Sequence, residues 1–266
     1  MHQFALCLAI LGFLLQGGQE SSLRLLKRPP DTARSARKQK LVGRAIPTAT
    51  RGFTDRDQIR LGAALAAQYD RERGIGPTVQ SKQIETYLQA VADKLAARAK
   101  RKLPYRIHYD PYPAFKSAFA LPGGHIIFGG GILALMKTED ELAAVIAHEI
   151  IHIDERQVDE RVERIAKERN ISPTNLSLWK VEDFGPGYTK QQELACDSGG
   201  ASLAVKAGYS PFGLLHLLQT FQLLAGPQTG GSPNRATLAE RISQIQDEIR
   251  TNGWEGLTKE KPLELP

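Results

Sequence analysis

Two histidines with a glutamate beside the first form the most chemically informative pattern in this sequence. His148, Glu149 and His152 lie in the segment HEIIH, an HExxH motif. Residues four apart lie on one face of an α-helix, with Cβ atoms about 5–6 Å apart, so both imidazoles can bind one zinc ion. The carboxylate of Glu149 would flank that ion and take a proton from a metal-bound water. The motif therefore predicts one Zn²⁺ per chain, with Glu149 as the general base.

A hydrolytic zinc site also needs a third protein ligand and an open fourth position. Glu193 can supply this ligand from the first turn of a second helix, which begins at a capping box formed by Thr189 and Gln192. Asp197 lies one turn further along the same face. From there it can accept the second N–H of a ligand histidine and fix its tautomer. An ExxxD pair alone is more often a solvated helix face, but behind an HExxH motif the metal interpretation is favoured.

The HExxH segment must be helical for this geometry to hold. Thr138 and Glu141 form a capping box, and apolar residues follow at helical spacing with no Gly or Pro before Pro173. The spacing predicts one helix from about Glu139 to about Glu168. Its second half is strongly charged, so the ligands should lie where the helix passes from the core to solvent.

A β-hairpin is predicted upstream of this helix, over residues 117–128. Pro122 and Gly123 suit the middle of a type II turn between two short apolar runs. An exposed edge strand here could hold a substrate chain by main-chain hydrogen bonds. The residues of this predicted substrate strand are Ser117, Ala118, Phe119 and Ala120. The alternative is a plain core hairpin, and His125 is interpreted as a packed or surface residue.

Three separately spaced segments carry a resemblance to a known family. The segments SAFALPGG, HEIIH and GYTKQQELACDSGGASLAVKAGYSP resemble the HtpX and CAAX prenyl protease family of M48-type gluzincin zinc metallopeptidases, and most closely its soluble, exported members. The resemblance covers about residues 55–250. It implies that His148, His152 and Glu193 are the zinc ligands, that Glu149 is the general base, and that Asp197 supports the ligands from behind.

The sequence departs from the family pattern in three places. Ser232 stands where the family has a His that stabilises the developing oxyanion, whereas Arg241 is retained in this transition-state region. If no other donor reaches the oxyanion, the rate is expected to fall by a factor on the order of a hundred to a thousand. Ile151 replaces a Gly or Ala, which should tighten the packing near the metal, and Ser117 replaces an Asn.

The first 51 residues indicate targeting. Residues 4–15 are an uninterrupted apolar run, too short to span a bilayer but suited to a signal peptide. They predict an exported protein of the periplasm or cell envelope; the alternatives are an uncleaved anchor or an internal apolar segment. Nine Lys and Arg against Glu20 and Asp31 give this region a net charge of +7, which leaves −1 for the rest of a chain whose total is +6.

This charge distribution predicts a basic, flexible linker at residues 20–51. Weak peripheral contact with an anionic membrane surface is the alternative. The near-neutral body without a recognised module argues against nucleic-acid binding. After removal of a signal peptide Cys196 is the remaining cysteine, and it is interpreted as a small buried residue rather than a fourth ligand.

The predicted organisation is a signal peptide or short apolar segment (1–19), the linker (20–51), a metallopeptidase domain (52–253) and a poorly ordered C-terminal tail (254–266). Periodicity predicts helices at 54–74, 81–99, 190–207, 212–225 and 238–250, a strand at 104–109, and an irregular stretch at 170–187 near the cleft. The expected fold class is α+β, helix-rich and zincin-like, with a small antiparallel sheet beside the active-site helix.

These patterns predict a zinc endopeptidase that hydrolyses peptide bonds of unfolded or misassembled polypeptides in the cell envelope. The alternative is a zinc-stabilised, chaperone-like binding module with little or no proteolytic activity. A third hypothesis is a latent protease opened by a partner or by movement of residues 170–187. No pattern in the sequence indicates a cleavage specificity or an oligomeric state.

Overall fold

The structure is a computed structural model and describes residues 53–74, 76–185, 187–225 and 234–266. The predicted signal peptide and linker, and also Ser232, lie outside these residues. In the described part of the chain, helices surround one small three-stranded sheet, which confirms the helix-rich α+β class.

Of the six predicted helices, five begin and end within about three residues of the predicted positions, and the sixth is considered below; the short helix at residues 130–133 was not predicted. Across the described residues they are α1 (Asp55–Arg73), α2 (Val79–Ala96), α3 (Gly130–Leu133), α4 (Glu139–Asp154), α5 (Gln157–Arg169), α6 (Lys190–Lys206), α7 (Phe212–Ala225) and α8 (Leu238–Thr251). Threonines cap five of them, and in each case the threonine oxygen accepts the N–H three residues later. The capping boxes expected at Thr138, Thr189 and Thr237 are therefore confirmed.

The sheet contains β1 (Arg106–Asp110), β2 (Ala118–Ala120) and β3 (His125–Gly129), in the order β1-β3-β2. β2 and β3 form the predicted antiparallel hairpin, and Gly123 turns it with a φ of 71°. β1 pairs with β3 in parallel. The sheet is thus mixed rather than antiparallel throughout, because the chain crosses from β1 to the far edge and returns between the two outer strands.

The predicted single helix over residues 139–168 was wrong, because the chain breaks it into α4 and α5. Arg156 takes a left-handed conformation with φ of 58° between the two helices. The carboxylate of Asp154 accepts the backbone N–H groups of Lys100, at 2.7 Å, and Arg101, at 3.0 Å. These bonds tie the end of α4 to the loop before β1. Neither Gly nor Pro marks the break, so local sequence carried no signal for it.

The expectation of a poorly ordered C-terminal tail was also wrong. Residues 254–266 lie along the start of α4, where the N–H of Glu139 donates to the Lys261 carbonyl at 2.8 Å. The side chain of Asp140 accepts the N–H of Lys261 at 2.6 Å, and the N–H of Leu263 donates to the Lys137 carbonyl at 3.1 Å. The Lys261 carbonyl therefore satisfies one of the backbone donors that a helix start leaves unpaired.

Helix α4, which carries the HExxH motif, packs against α2, α6, α7 and β2. All of its residues from Asp140 to Asp154 are buried. The charged segment that was expected to leave the core is α5, after the break. Among the described residues, every helix is too short or too polar to cross a bilayer.

Two histidines share a hydrogen bond inside the sheet. His108 Nε2 on β1 lies 2.9 Å from His125 Nδ1 on β3, and the rings stack with centroids 5.2 Å apart. Burial, with the nearby charge of Arg106, lowers the pKa of each histidine to about 4. His125 is therefore a packed residue, as interpreted from the sequence.

We expect acid to destabilise the metal-free protein through this pair. Between pH 6.5, the usual pKa of histidine, and pH 4, the unfolded chain binds more protons than the folded chain. The contribution of the neutral pair to the free energy of unfolding is therefore complete above pH 6.5 and is lost as the pH falls to about 4. The shift corresponds to on the order of 3 kcal/mol for one histidine. Denaturant unfolding across this range should show a flatter pH profile for His108→Gln than for wild type. The same change at the exposed His216 is the control, and parallel profiles for all three proteins would contradict the prediction.

Candidate metal centre

The three predicted ligands converge on one point. His148 Nε2 lies 3.1 Å from His152 Nε2 and 3.5 Å from Glu193 Oε2, and one ligand atom from each residue lies within 4.8 Å of the others. Ligand atoms around a tetrahedral zinc ion, with bonds of about 2.0–2.1 Å, are about 3.3 Å apart. Both distances from His148 are close to this value, and two imidazoles with a carboxylate are donors that zinc prefers, so these residues could hold a metal ion.

Glycines on α6 allow the third ligand to approach. A Cβ at Gly200 would lie 3.1 Å from the backbone nitrogen of His148, so a glycine lets α6 pack closely on α4 and present Glu193 to the histidines. A Cβ at Gly199 would lie 3.0 Å from Cγ2 of Ile151. The bulk of Ile151, which is unusual for the family that the sequence resembles, is therefore accommodated by the missing side chain opposite.

His148 is supported by a buried ion pair. Its Nδ1 lies 3.0 Å from Asp197 Oδ1, and Arg241 donates to both oxygens of Asp197 at 2.6 Å. Burial acts to raise the pKa of Asp197, but the charge of Arg241 and the hydrogen bonds hold it at about 2. An ionised Asp197 accepts the Nδ1 proton and directs Nε2 of His148 toward the other ligands.

The electrostatics of the cluster favour a cation. Burial favours the neutral form of His148, but hydrogen bonds to Asp197 and Glu193 outweigh it and raise the pKa of His148 to about 10. Despite its own burial, Glu193 has a lowered pKa because of its contacts with His148. Positive charge is thus stabilised where the three ligand atoms meet.

His152 has different neighbours. Its Nδ1 lies 2.7 Å from Gln157 Oε1 and 3.2 Å from the Cys196 sulfur, while the ring of Tyr188 stacks on its face. Burial, with the charge of His148, lowers the pKa of His152 to about 3, so its imidazole is neutral. Cys196 is fully buried on the Nδ1 side. It supports the ligand from behind, in agreement with its interpretation as a small buried residue.

Gln157 was missed in the sequence because its position depends on the helix break. In one continuous helix, a residue five positions after His152 would lie about 140° around the axis from it. The left-handed turn at Arg156 brings Gln157 back against the imidazole.

Glu149 has the environment of a base. Its side chain is buried, and its Oε1 has no hydrogen-bond partner among the described residues. Burial raises the pKa of Glu149 to about 7, although the N–H of Ala120 and nearby His148 act to lower it. An acceptor oxygen that is buried and open, on a carboxyl with a pKa near neutrality, is suited to taking up a proton.

The predicted substrate strand is β2, at the edge of the sheet. Main-chain hydrogen bonds join Leu121 to His125 and Ser117 to Gly129. Along an antiparallel strand the residues bonded to the partner alternate with residues whose main-chain groups face away from it. The main-chain groups of Ala118 and Ala120 therefore face away from β3, toward the outer edge of the sheet. The side chains of β2 are buried, contrary to the simplest picture of an exposed strand. What this strand can offer a ligand is therefore its outer backbone, chiefly the N–H of Ala118 and the carbonyl of Ala120. The N–H of Ala120 is directed at Glu149, and the carbonyl of Ala118 accepts from Ser117 Oγ at 3.2 Å.

Arg241 was predicted to lie in the transition-state region, and in the structure its guanidinium binds Asp197 on the Nδ1 side of His148. It is buried, and its guanidinium is bonded to Asp197. Its hydrogen bonds therefore reach His148 through that carboxylate, and its charge also acts to lower the pKa of Glu193 and of Glu149.

Comparison with known proteins agrees with this geometry. A 70-residue segment, 26% of this chain, is 40% identical to mitochondrial metalloendopeptidase OMA1 of Schizosaccharomyces pombe. An alignment of 154 positions, which covers 50% of the chain, shows 24% identity to a putative beta-barrel assembly-enhancing protease of Vibrio cholerae. The matched regions make up 20% and 32% of these relatives. The family model of peptidase family M48 matches residues 80–249, more than half of the sequence. The chain therefore belongs to peptidase family M48.

Proposed function

We propose that this protein is a zinc endopeptidase in which His148, His152 and Glu193 hold the ion and Glu149 is the general base. M48 peptidases are metal-dependent. The observation that carries the proposal is the convergence of three ligand atoms within 4.8 Å beside the open, buried oxygen of Glu149. Side chains that only packed a core would not bring two imidazoles and a carboxylate together next to an unsatisfied acceptor.

The chain's own residues supply the positioning and the proton transfers. Zinc, when bound, would act as a Lewis acid on the scissile carbonyl and on a water molecule. Glu149 takes a proton from the attacking water onto its open oxygen and returns it to the leaving amine. Asp197 keeps the Nδ1 proton of His148 in place throughout.

The outer backbone of β2 selects extended segments as substrate. Main-chain hydrogen bonds with the N–H of Ala118 and the carbonyl of Ala120 would align a polypeptide as an additional strand beside Glu149. A folded protein has its main-chain groups already paired, whereas an unfolded or misassembled one exposes them. We therefore propose unfolded polypeptides as the substrate class.

The cell envelope is the proposed location. The apolar run at residues 4–15 supports export, and one relative is named as a putative beta-barrel assembly-enhancing protease. Peripheral contact of residues 20–51 with an anionic membrane surface remains part of the proposal because of their positive charge.

A binding module without proteolytic activity is the second candidate. It is favoured by Ser232, which stands where the resembled family has an oxyanion-stabilising His. Such a module would hold extended chains on β2 and would use zinc only to join α4 to α6.

Metal removal tests the proposal directly. We expect one zinc per chain by elemental analysis, cleavage of an unfolded casein, loss of that cleavage with a chelator, and recovery with one equivalent of zinc. His152→Ala should lose both metal and activity, whereas the same change at the exposed His216 should lose neither. Absence of stoichiometric metal would overturn the proposal. Zinc-dependent binding of casein without cleavage would favour the binding module.

A further inference from the structure

Three planar groups from three parts of the chain lie together at the metal centre. The ring of Tyr188 lies 3.8 Å from the ring of His152, with 17° between their planes. The guanidinium carbon of Arg161, on α5, lies 5.2 Å from the centre of the Tyr188 ring. All three side chains are largely buried, with at most 9% of each residue exposed. The proposed mechanism gives no role to either Tyr188 or Arg161.

The support of His152 is weaker than that of His148. An ionised carboxylate, itself held by two bonds from Arg241, accepts from His148. The Nδ1 of His152 instead meets the neutral amide of Gln157 and a thiol. Hydrogen bonds to charged groups are about twice as strong as neutral ones. His152 therefore requires another constraint if both imidazoles are to be held equally well.

A stacked ring supplies the constraint that a single hydrogen bond lacks. The torsion that rotates an imidazole about its Cβ–Cγ bond has broad minima, so the ring plane is not set by the side chain itself. A bond at Nδ1 restrains one atom of that plane. Rotation of the His152 ring would drive its edge into Tyr188, because the two rings are already at contact distance along their faces.

The chain places Tyr188 by the same turn that delivers the third ligand. Tyr188 directly precedes Thr189, the N-cap of α6, and Glu193 follows in the first turn of that helix. Gly187 has a φ of 143°, and a Cβ there would lie 3.2 Å from Nη2 of Arg161. A glycine at this point lets the turn pass close to Arg161 and present the tyrosine ring between α5 and α4.

We propose that Tyr188, backed by Arg161, is a positioning residue that fixes the ring plane of His152 for metal binding. The inference rests on the proposed function, since it assigns the stack to the zinc site. It makes the flat face of Tyr188, rather than its hydroxyl group, the functional feature.

Substitutions at Tyr188 separate the ring from the hydroxyl. Tyr188→Phe keeps the flat face, whereas Tyr188→Met and Tyr188→Leu fill much of the volume without one. Zinc affinity would be measured by competition with a chromophoric chelator, and ligand geometry by the absorption spectrum of the Co²⁺-substituted protein. Both readouts are independent of peptidase activity. Circular dichroism and the unfolding midpoint with chelator present report whether each variant folds.

We expect Tyr188→Phe to match wild type in affinity, within about twofold, and in spectrum. The two non-aromatic variants should bind zinc about 10- to 100-fold more weakly, the usual effect of removing a residue that supports a metal ligand, and their Co²⁺ spectra should change. If only one of them folds, that variant decides the test. Wild-type affinity in a folded non-aromatic variant would overturn the inference, and so would equal losses in Tyr188→Phe and Tyr188→Met. A wild-type chain that binds no zinc would instead overturn the proposed function.

Discussion

Glu149→Gln is expected to lower kcat/KM for cleavage of an unfolded substrate by on the order of a thousandfold while zinc stays bound. General bases contribute about 10²- to 10⁴-fold, and an amide of the same shape cannot take up the proton. The change should be tolerated by the fold because Oε1 of Glu149 has no hydrogen-bond partner among the described residues. Initial rates on a quenched fluorescent peptide and elemental analysis of the same sample would give both quantities.

The matched control for this prediction lies on the same helix segment. Glu155 follows Asp154 at the end of α4, is exposed, and pairs with Lys100 on the surface. Glu155→Gln should therefore keep wild-type activity. Unchanged cleavage by Glu149→Gln would exclude Glu149 as the base. A loss of zinc from that variant would show that Glu149 acts on metal binding rather than on proton transfer.

Arg241→Met is expected to lower the free energy of unfolding by about 3–5 kcal/mol, because it leaves the fully buried carboxylate of Asp197 without its counter-ion. The pKa of Asp197 would then rise, since burial favours the neutral acid. A carboxylate that is no longer held would also support His148 less well, and zinc should bind about 10- to 100-fold more weakly. Chemical denaturation and chelator competition measure the two effects.

Companion variants distinguish this role from one in the transition state. Arg250→Met, on the exposed face of the same helix, should change neither stability nor zinc affinity by much. The double variant with Asp197→Asn should be less destabilised than the two single effects predict, since removing both partners leaves no buried unpaired charge. If Arg241→Met lowered only kcat, with stability and zinc affinity unchanged, Arg241 would act on the reaction itself, as the sequence first suggested.

Most helix positions could be predicted because their signals are local. A threonine cap, an apolar stripe of period 3.6 and a terminal glycine all lie within a few turns, as in α1 from Thr54 to Gly74. The break after Asp154 could not be predicted by this reasoning. It depends on hydrogen bonds from Lys100 and Arg101, more than fifty residues earlier, and local propensity favours continuing the helix. The C-terminal tail was misjudged for the same reason, since its partners are backbone groups at the start of α4.

The sequence by itself determined the donor types and their spacing: two histidines one turn apart, a glutamate between them, and an ExxxD pair on a second helix. These depend on helical geometry alone, which is the same in every protein. Only the tertiary structure decided which side chains surround the ligands. Gln157 reaches His152 through a backbone turn, Tyr188 through a loop, and Arg241 reaches Asp197 from α8. Contacts between distant segments depend on how the helices pack, and helix packing is set by the whole core rather than by any one segment.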